Sequence, residues 1–243
     1  MEIGRLEALN WGDIQGAYGP ATEVPQLLLS ARGGDSDAWF ELWGTVWHQG
    51  TVYEVSPVVV PYLVDMACDE CCPPAARSQA GLLLASITGA NSFVLPDSPR
   101  TMRQAKWLAD GAKPVSARDL AEESRRATEA HASLLARATL RAPVQVRAAL
   151  VAAMAAAAAG LTSEELGEVV QVLPNEDPRL AGALRLVVAL AEGNVTLNQI
   201  GAVSTLDAEA HDYLQAIGDL PVRVQAVEIV RELCERVVDA DGL

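Results

Sequence analysis

Apolar positions recur along this chain at the three-to-four-residue spacing of amphipathic helices, with glycine and proline punctuating the runs. Val24, Leu27 and Leu28 make one stripe of a helix over 23–32, which Gly33-Gly34 should stop. Asp35-Ser36-Asp37 can cap a second helix over 38–48, with Phe40, Trp43, Val46 and Trp47 largely along one face and Gly50 ending it. A third helix is expected over 54–67, where Pro57 suits a helix start and Pro61 should kink or restart it. A fourth, over 74–88, closes before Gly89-Ala90-Asn91.

Between 91 and 114 the pattern lapses at Pro96, Pro99, Gly111 and Pro114, leaving an irregular insertion near 91–115 with a short helix over 101–109. A long polar-faced helix should then run from Ser116 to about residue 141, with Ser116 and Asp119 as a variant capping box. From Pro143 onward the segments become regular: 143–159, 163–172, 178–191, 197–203, 208–217 and 221–238. The run 152–159 carries Met154 as its one large side chain, a composition that lets neighbouring helices approach closely.

A phrase repeats through these segments: a proline, a short apolar and basic stretch, then an alanine-rich apolar run. It reads Pro143-Val-Gln-Val-Arg147, Asp177-Pro178-Arg179 and Pro221-Val-Arg223, at spacings of 35 and 43 residues, and Pro74-Ala-Ala-Arg77 opens an earlier copy. A period of this size is the signature of stacked helical hairpins, none of which can bury its apolar face alone. Abundant alanine and leucine with few β-branched runs agree with an all-α chain.

Composition narrows the partners. With 18 basic against 32 acidic residues the net charge is -14, so a phosphate backbone is repelled and nucleic acid is not the expected partner. The longest apolar stretch, 148–161, is too short to span a bilayer, and the first seven residues lack a basic head and apolar core, so a cytoplasmic protein is expected. Cys68, Cys71 and Cys72 have zinc-like local spacing, but no second ligand pair follows and His48, His131 and His211 are scattered; no metal or cofactor is expected.

The Pro-x-x-x-Arg phrase, with Asp177 before Pro178, resembles HEAT repeats, the two-helix units of armadillo-like solenoids. The earlier half is similar to bacterial HEAT-repeat proteins of undefined role, through Trp11, Ala17-Tyr18-Gly19-Pro20-Ala21, Val24-Pro25, Leu42-Trp43, Trp47 to Tyr53 and Val60-Pro61-Tyr62-Leu63. The Pro74 unit lacks the preceding Asp, and Gly182 stands where a conventional repeat carries a larger residue. The resemblance implies a single right-handed α-solenoid over 1–243, with an N-terminal half 1–90, the insertion 91–115 and regular repeats over 116–243, whose concave row of helices binds another macromolecule. Some HEAT-like bacterial proteins resemble alkylpurine DNA glycosylases, which use a basic groove; the acidic balance of this chain departs from that pattern and leaves DNA repair as a remote alternative.

Functional side chains are densest at Trp43, Trp47, His48, Gln49, Tyr53 and Glu54, with Tyr18 nearby if the first helices pack as a hairpin. Aromatic walls with a few polar groups suit a ligand cleft, and His48 and Glu54, with Tyr53 beside them, are candidates for acid–base chemistry. The same tryptophans can instead plug the end of the core, with His48 and Gln49 capping a helix C-terminus. No phosphate-binding loop, nucleophile elbow, dinucleotide fingerprint or zinc-protease helix is present. The leading expectation is a non-catalytic scaffold binding a basic protein partner as an adaptor, inhibitor or immunity-type protein. The competing expectation is a small-molecule binder or enzyme of specialised metabolism with its cleft around Trp43, Trp47, His48, Tyr53 and Glu54.

Overall fold

The computed structural model describes residues 6, 8–48, 50–89, 119–172 and 177–239. Twelve α-helices account for most of them: α1 Val24–Arg32, α2 Ser36–Val46, α3 Val55–Cys68, α4 Pro74–Gly89, α5 Leu120–Glu129, α6 Ala132–Thr139, α7 Val144–Ala156, α8 Ser163–Val172, α9 Pro178–Glu192, α10 Leu197–Ser204, α11 Ala208–Ala216 and α12 Val222–Asp239. The described residues are all-α apart from two small antiparallel hairpins, β1 Gln15–Gly16 with β2 Gly19–Pro20 and β3 Trp47–His48 with β4 Thr51–Val52. The insertion expected near 91–115 lies outside the described residues.

Local punctuation works as the sequence suggests at many helix ends. The Asp35 carboxylate accepts from the N–H groups of Asp37 and Ala38 at the start of α2, and Asp177 and Asp207 do the same for α9 and α11. Thr196 and Gln199 make a reciprocal capping box on α10. Gly193 ends α9 with φ 70°, a left-handed conformation that glycine adopts without a Cβ clash.

The repeated arginine has a structural task. Arg77 Nε donates to the carbonyl of Ala67 at 3.2 Å, and Arg147 Nε donates to that of Thr139 at the same distance. In both copies the arginine, which is buried, reaches back over the loop and satisfies a carbonyl in the last turn of the preceding helix. Arg179 grips the Asp177 carboxylate and extends Nη1 to the carbonyl of Arg236 at 3.4 Å, near the end of α12. In the fourth copy Arg223 is exposed.

The centre of the molecule is α7. Every residue from Val146 to Ala156 is buried, so this helix has no polar face, and α4, α6, α9 and α12 surround it. Its alanines permit the approach: a methyl group placed on Gly81 of α4 would lie 2.8 Å from the Ala149 Cβ and 2.9 Å from its backbone carbon. Gly182 of α9 is explained the same way, since a Cβ there would meet Leu206 Cδ1 at 2.4 Å and Val203 Cγ1 at 3.1 Å. The last helix, α12, lies on α7 and α9 and also touches α4, so contacts join parts of the chain far apart in sequence. Buried apolar side chains from Leu6 to Val238 belong to one connected core.

Four local expectations are corrected. The helix expected to run unbroken from Ser116 to about 141 is two, α5 and α6, parted at Ala130-His131; the turn Ala158–Gly160 seats there, with the Gly160 Cα so close that a Cβ would fall 2.5 Å from the Glu129 carbonyl oxygen. Of the kink or restart expected at Pro61, the restart does not occur, since α3 continues through it as one helix. The helix over 38–48 stops at Val46, and Trp47-His48 leave it as a strand. Finally, the inward face of α2 is Ala38, Trp39, Leu42 and Val46, whereas Phe40 points to solvent at 78% exposure.

Candidate functional site

The two hairpins bring the candidate aromatic and polar residues together. In the first, Gln15 pairs with Pro20 and Gly16 with Gly19, leaving Ala17 and Tyr18 at the tip. The tip is tied to α2: the Ala17 N–H donates to the Thr45 carbonyl at 2.9 Å, and Gly16 approaches so closely that a Cβ would lie 2.9 Å from Thr45 Cγ2. Only glycine lets this strand rest on the helix. Glu54 holds the other end, its Oε2 accepting from the Gln15 N–H at 3.1 Å.

In the second hairpin Trp47 pairs with Val52 and His48 with Thr51, and Gly50 turns the chain with φ 78°. Gln49 lies outside the described residues. Ser56, which no pattern in the sequence singles out, locks the hairpin to α3. Its hydroxyl donates to the Val46 carbonyl at 2.6 Å and accepts from the Tyr53 N–H at 2.7 Å while fully buried.

Strand alternation sends Trp47 and His48 to opposite faces of that hairpin. On the inner face Trp43 and Trp47 meet edge to face, centroids 5.7 Å apart and planes at 83°, and Trp43 Nε1 donates to Gln79 Oε1 of α4 at 2.9 Å. Both tryptophans and Tyr53 are half-buried and pack on the core. On the outer face the Tyr18 hydroxyl and His48 Nδ1 are 3.1 Å apart, a hydrogen bond whose donor depends on the imidazole tautomer, with ring centroids at 5.4 Å. Tyr18 is 74% exposed, and its ring passes over Gly44, one helical turn beyond Phe40 on the same side of α2.

Six of the expected site residues therefore share one end of the molecule, but not as one cleft. Trp43, Trp47 and Tyr53 line the inside, while Tyr18 and His48 face outward. His48 and Glu54 direct their hydrogen bonds to different partners, Tyr18 and the Gln15 backbone, so among the described residues no common hydrogen bond joins the two as an acid–base pair. His48 does not cap α2 either, because the helix has already become a strand. Phe40 belongs with Tyr18 and His48. Its exposure was not legible, since the period of α2 allows either Trp39 or Phe40 to turn inward.

The other polar clusters are elsewhere. Burial pushes the Cys68 thiol up to about 12 and raises that of Cys72, so both keep their protons at neutral pH. The neighbouring Asp69 accepts from the Cys71 N–H and pairs with Arg32, contacts that hold its carboxyl below the ordinary carboxylate value. Among the described residues no three of His, Cys, Asp and Glu converge as metal ligands would. His131 stands at the start of α6, and His211 Nδ1 lies 3.2 Å from Ser204 Oγ. A depression of about 360 Å³ lies between α9 and α10, lined by Arg185, Leu186, Gln199, Ala202 and Val203, away from the hairpins. No described helix is long and apolar enough to cross a membrane.

Comparison with protein-family models, with curated proteins and with solved structures finds no match. The HEAT resemblance accordingly rests on the residues that carry it.

Proposed function

We propose that this chain is a non-catalytic helical scaffold, built of HEAT-like hairpins in a right-handed solenoid, that binds a basic protein partner. The recurring task of Arg77 and Arg147 supports the repeat reading, because two copies of one phrase close two different helix ends in the same way. The observation that carries the partner is electrostatic. Between residues 8 and 89 there are nine carboxylates and two arginines. Arg32 is paired with Asp69 and Arg77 is buried against the Ala67 carbonyl, so the described residues of this segment offer a partner carboxylates and aromatic rings but hardly any positive charge of their own. Such a surface repels anions and steers cations toward it. The Glu54 contact with a backbone N–H and the division of the aromatic residues between two faces favour a docking surface over a cleft for chemistry.

The test is binding of a defined basic peptide and an acidic peptide of equal length, followed by fluorescence anisotropy as salt rises. Two or three exposed charge pairs at about 0.5 kcal/mol each amount to roughly tenfold in affinity. Affinity for the basic peptide should fall by about that factor between ~0.1 M and ~1 M salt, where the screening length shrinks from about 10 to about 3 Å. Preference for the acidic peptide, or binding indifferent to salt, would refute the proposal.

A further inference from the structure

We infer that the outer strip Phe40–Tyr18–His48, bordered by Asp37 and Glu41, is where the partner docks, and that it takes arginine side chains in preference to lysine. This rests on the proposed function and adds the surface and its recognition chemistry.

Among the large apolar residues left exposed in the described part, Phe40 at 78% and Tyr18 at 74% stand well above Leu197 at 56%. They share one side of α2. Tyr18 crosses Gly44, and the Cβ positions of Phe40 and Gly44, four residues apart on the helix, lie about 5–6 Å from each other along that side. Tyr18 is also held in place, by its hydrogen bond to His48 and by the Ala17–Thr45 bond behind it. A preset aromatic ring loses little freedom when something stacks on it.

The charges beside the strip say what stacks. Asp37 and Glu41 are exposed on α2, and among the described residues neither forms a salt bridge. A second copy of this chain would bring the same carboxylates against one another, and an anionic membrane or nucleic acid would meet them too; each is opposed by like charge. A cation is favoured by both the carboxylates and the ring faces. Guanidinium is planar, stacks on aromatic rings and bridges carboxylates in a fixed fork, whereas ammonium is a compact, strongly hydrated charge.

The experiment compares oligo-arginine and oligo-lysine peptides of equal charge on the full chain and three double variants: Tyr18→Ala/Phe40→Ala, Asp37→Asn/Glu41→Gln, and Glu164→Gln/Glu168→Gln on α8 as a charge-matched control. All six positions are exposed, so melting temperatures serve to confirm that the variants are folded. The parent should bind oligo-arginine roughly tenfold more tightly than oligo-lysine, from two exposed cation–aromatic contacts. The aromatic variant should lose that preference, the Asp37/Glu41 variant should weaken both peptides several-fold, and the α8 variant should match the parent. Equal affinities of the parent for the two peptides, an aromatic variant that keeps the preference, or an α8 variant as weak as the Asp37/Glu41 variant would each overturn the assignment while leaving the basic-partner reading standing. Failure of the parent to bind either peptide would overturn that reading as well.

Discussion

Replacing Gly81 with alanine should destabilise this protein, although alanine is the better helix former. In an exposed helix interior the change is favourable by about 0.8–1 kcal/mol. At Gly81 the new methyl would sit 2.8 Å from the Ala149 Cβ, 2.9 Å from its carbonyl carbon and 3.0 Å from its oxygen. Carbon atoms pack at about 3.5–4.0 Å, so α4 and α7 must separate by roughly 0.7 Å or more. Two of the three atoms are backbone, and the third is a methyl with no rotamer to escape into. Overpacking of this kind costs about 1–3 kcal/mol, and the contact it opens is the broadest helix pair among the described residues. Overpacking therefore wins by up to about 2 kcal/mol, a fall of about 4–8 °C in melting temperature for a chain of this size. Gly201→Ala is the internal control: that glycine lies within α10 with nothing in reach of a Cβ, so there the propensity gain should survive and raise stability by about 0.5–1 kcal/mol. Denaturant melts of the two variants beside the parent decide the matter. A Gly81→Ala protein as stable as Gly201→Ala would mean that α4 and α7 do not approach as described.

Ser56→Ala removes a buried hydroxyl that serves both the Val46 carbonyl and the Tyr53 N–H, so a loss of about 1–3 kcal/mol is expected, with faster amide exchange over 47–53 than elsewhere; unchanged exchange there would contradict the locking role. Asp177→Asn keeps the cap on α9 but ends the ion pair with Arg179, which holds the Asp177 carboxyl below its ordinary value. A lowered carboxylate pKa contributes stability that is present above the unfolded value of about 3.9 and is lost as pH falls through the folded one. The parent should therefore exceed the variant by about 1 kcal/mol at neutral pH, and the gap should close as pH falls below the ordinary carboxylate range; a gap that persists in strong acid would show that the pair is not its source.

Helix ends were legible because their signals are local. Asp35 and Asp177 cap from a few residues away, Gly33-Gly34 stops α1 and the predicted bounds 163–172 are those of α8, since each depends on backbone groups within one turn. The alanine-rich run announced close helix packing for the same reason: small side chains carry that property with them. Which helix would approach was another matter. Gly81 meets Ala149 across 68 residues, and α12 returns to α4, contacts that no periodicity encodes.

The candidate site divides in the same way. Its residues were visible as an unusual density of aromatics, and the Gly19 and Gly50 turns could have been read as hairpin signals beside β-branched Thr51-Val52. Helical periodicity, however, fits Trp39 and Phe40 equally well. Only the packing of α2 on α1, α3 and α4 turns Trp39 inward and leaves Phe40 in solvent. Tyr18 and His48 are 30 residues apart, and their meeting depends on Gly16 resting against Thr45. The sequence by itself determined most of the helical segments, several of their ends and the acidic charge, because each is written within a few residues. The tertiary structure alone decided which aromatic rings are displayed and beside which carboxylates, because that outcome belongs to surfaces made from distant parts of the chain.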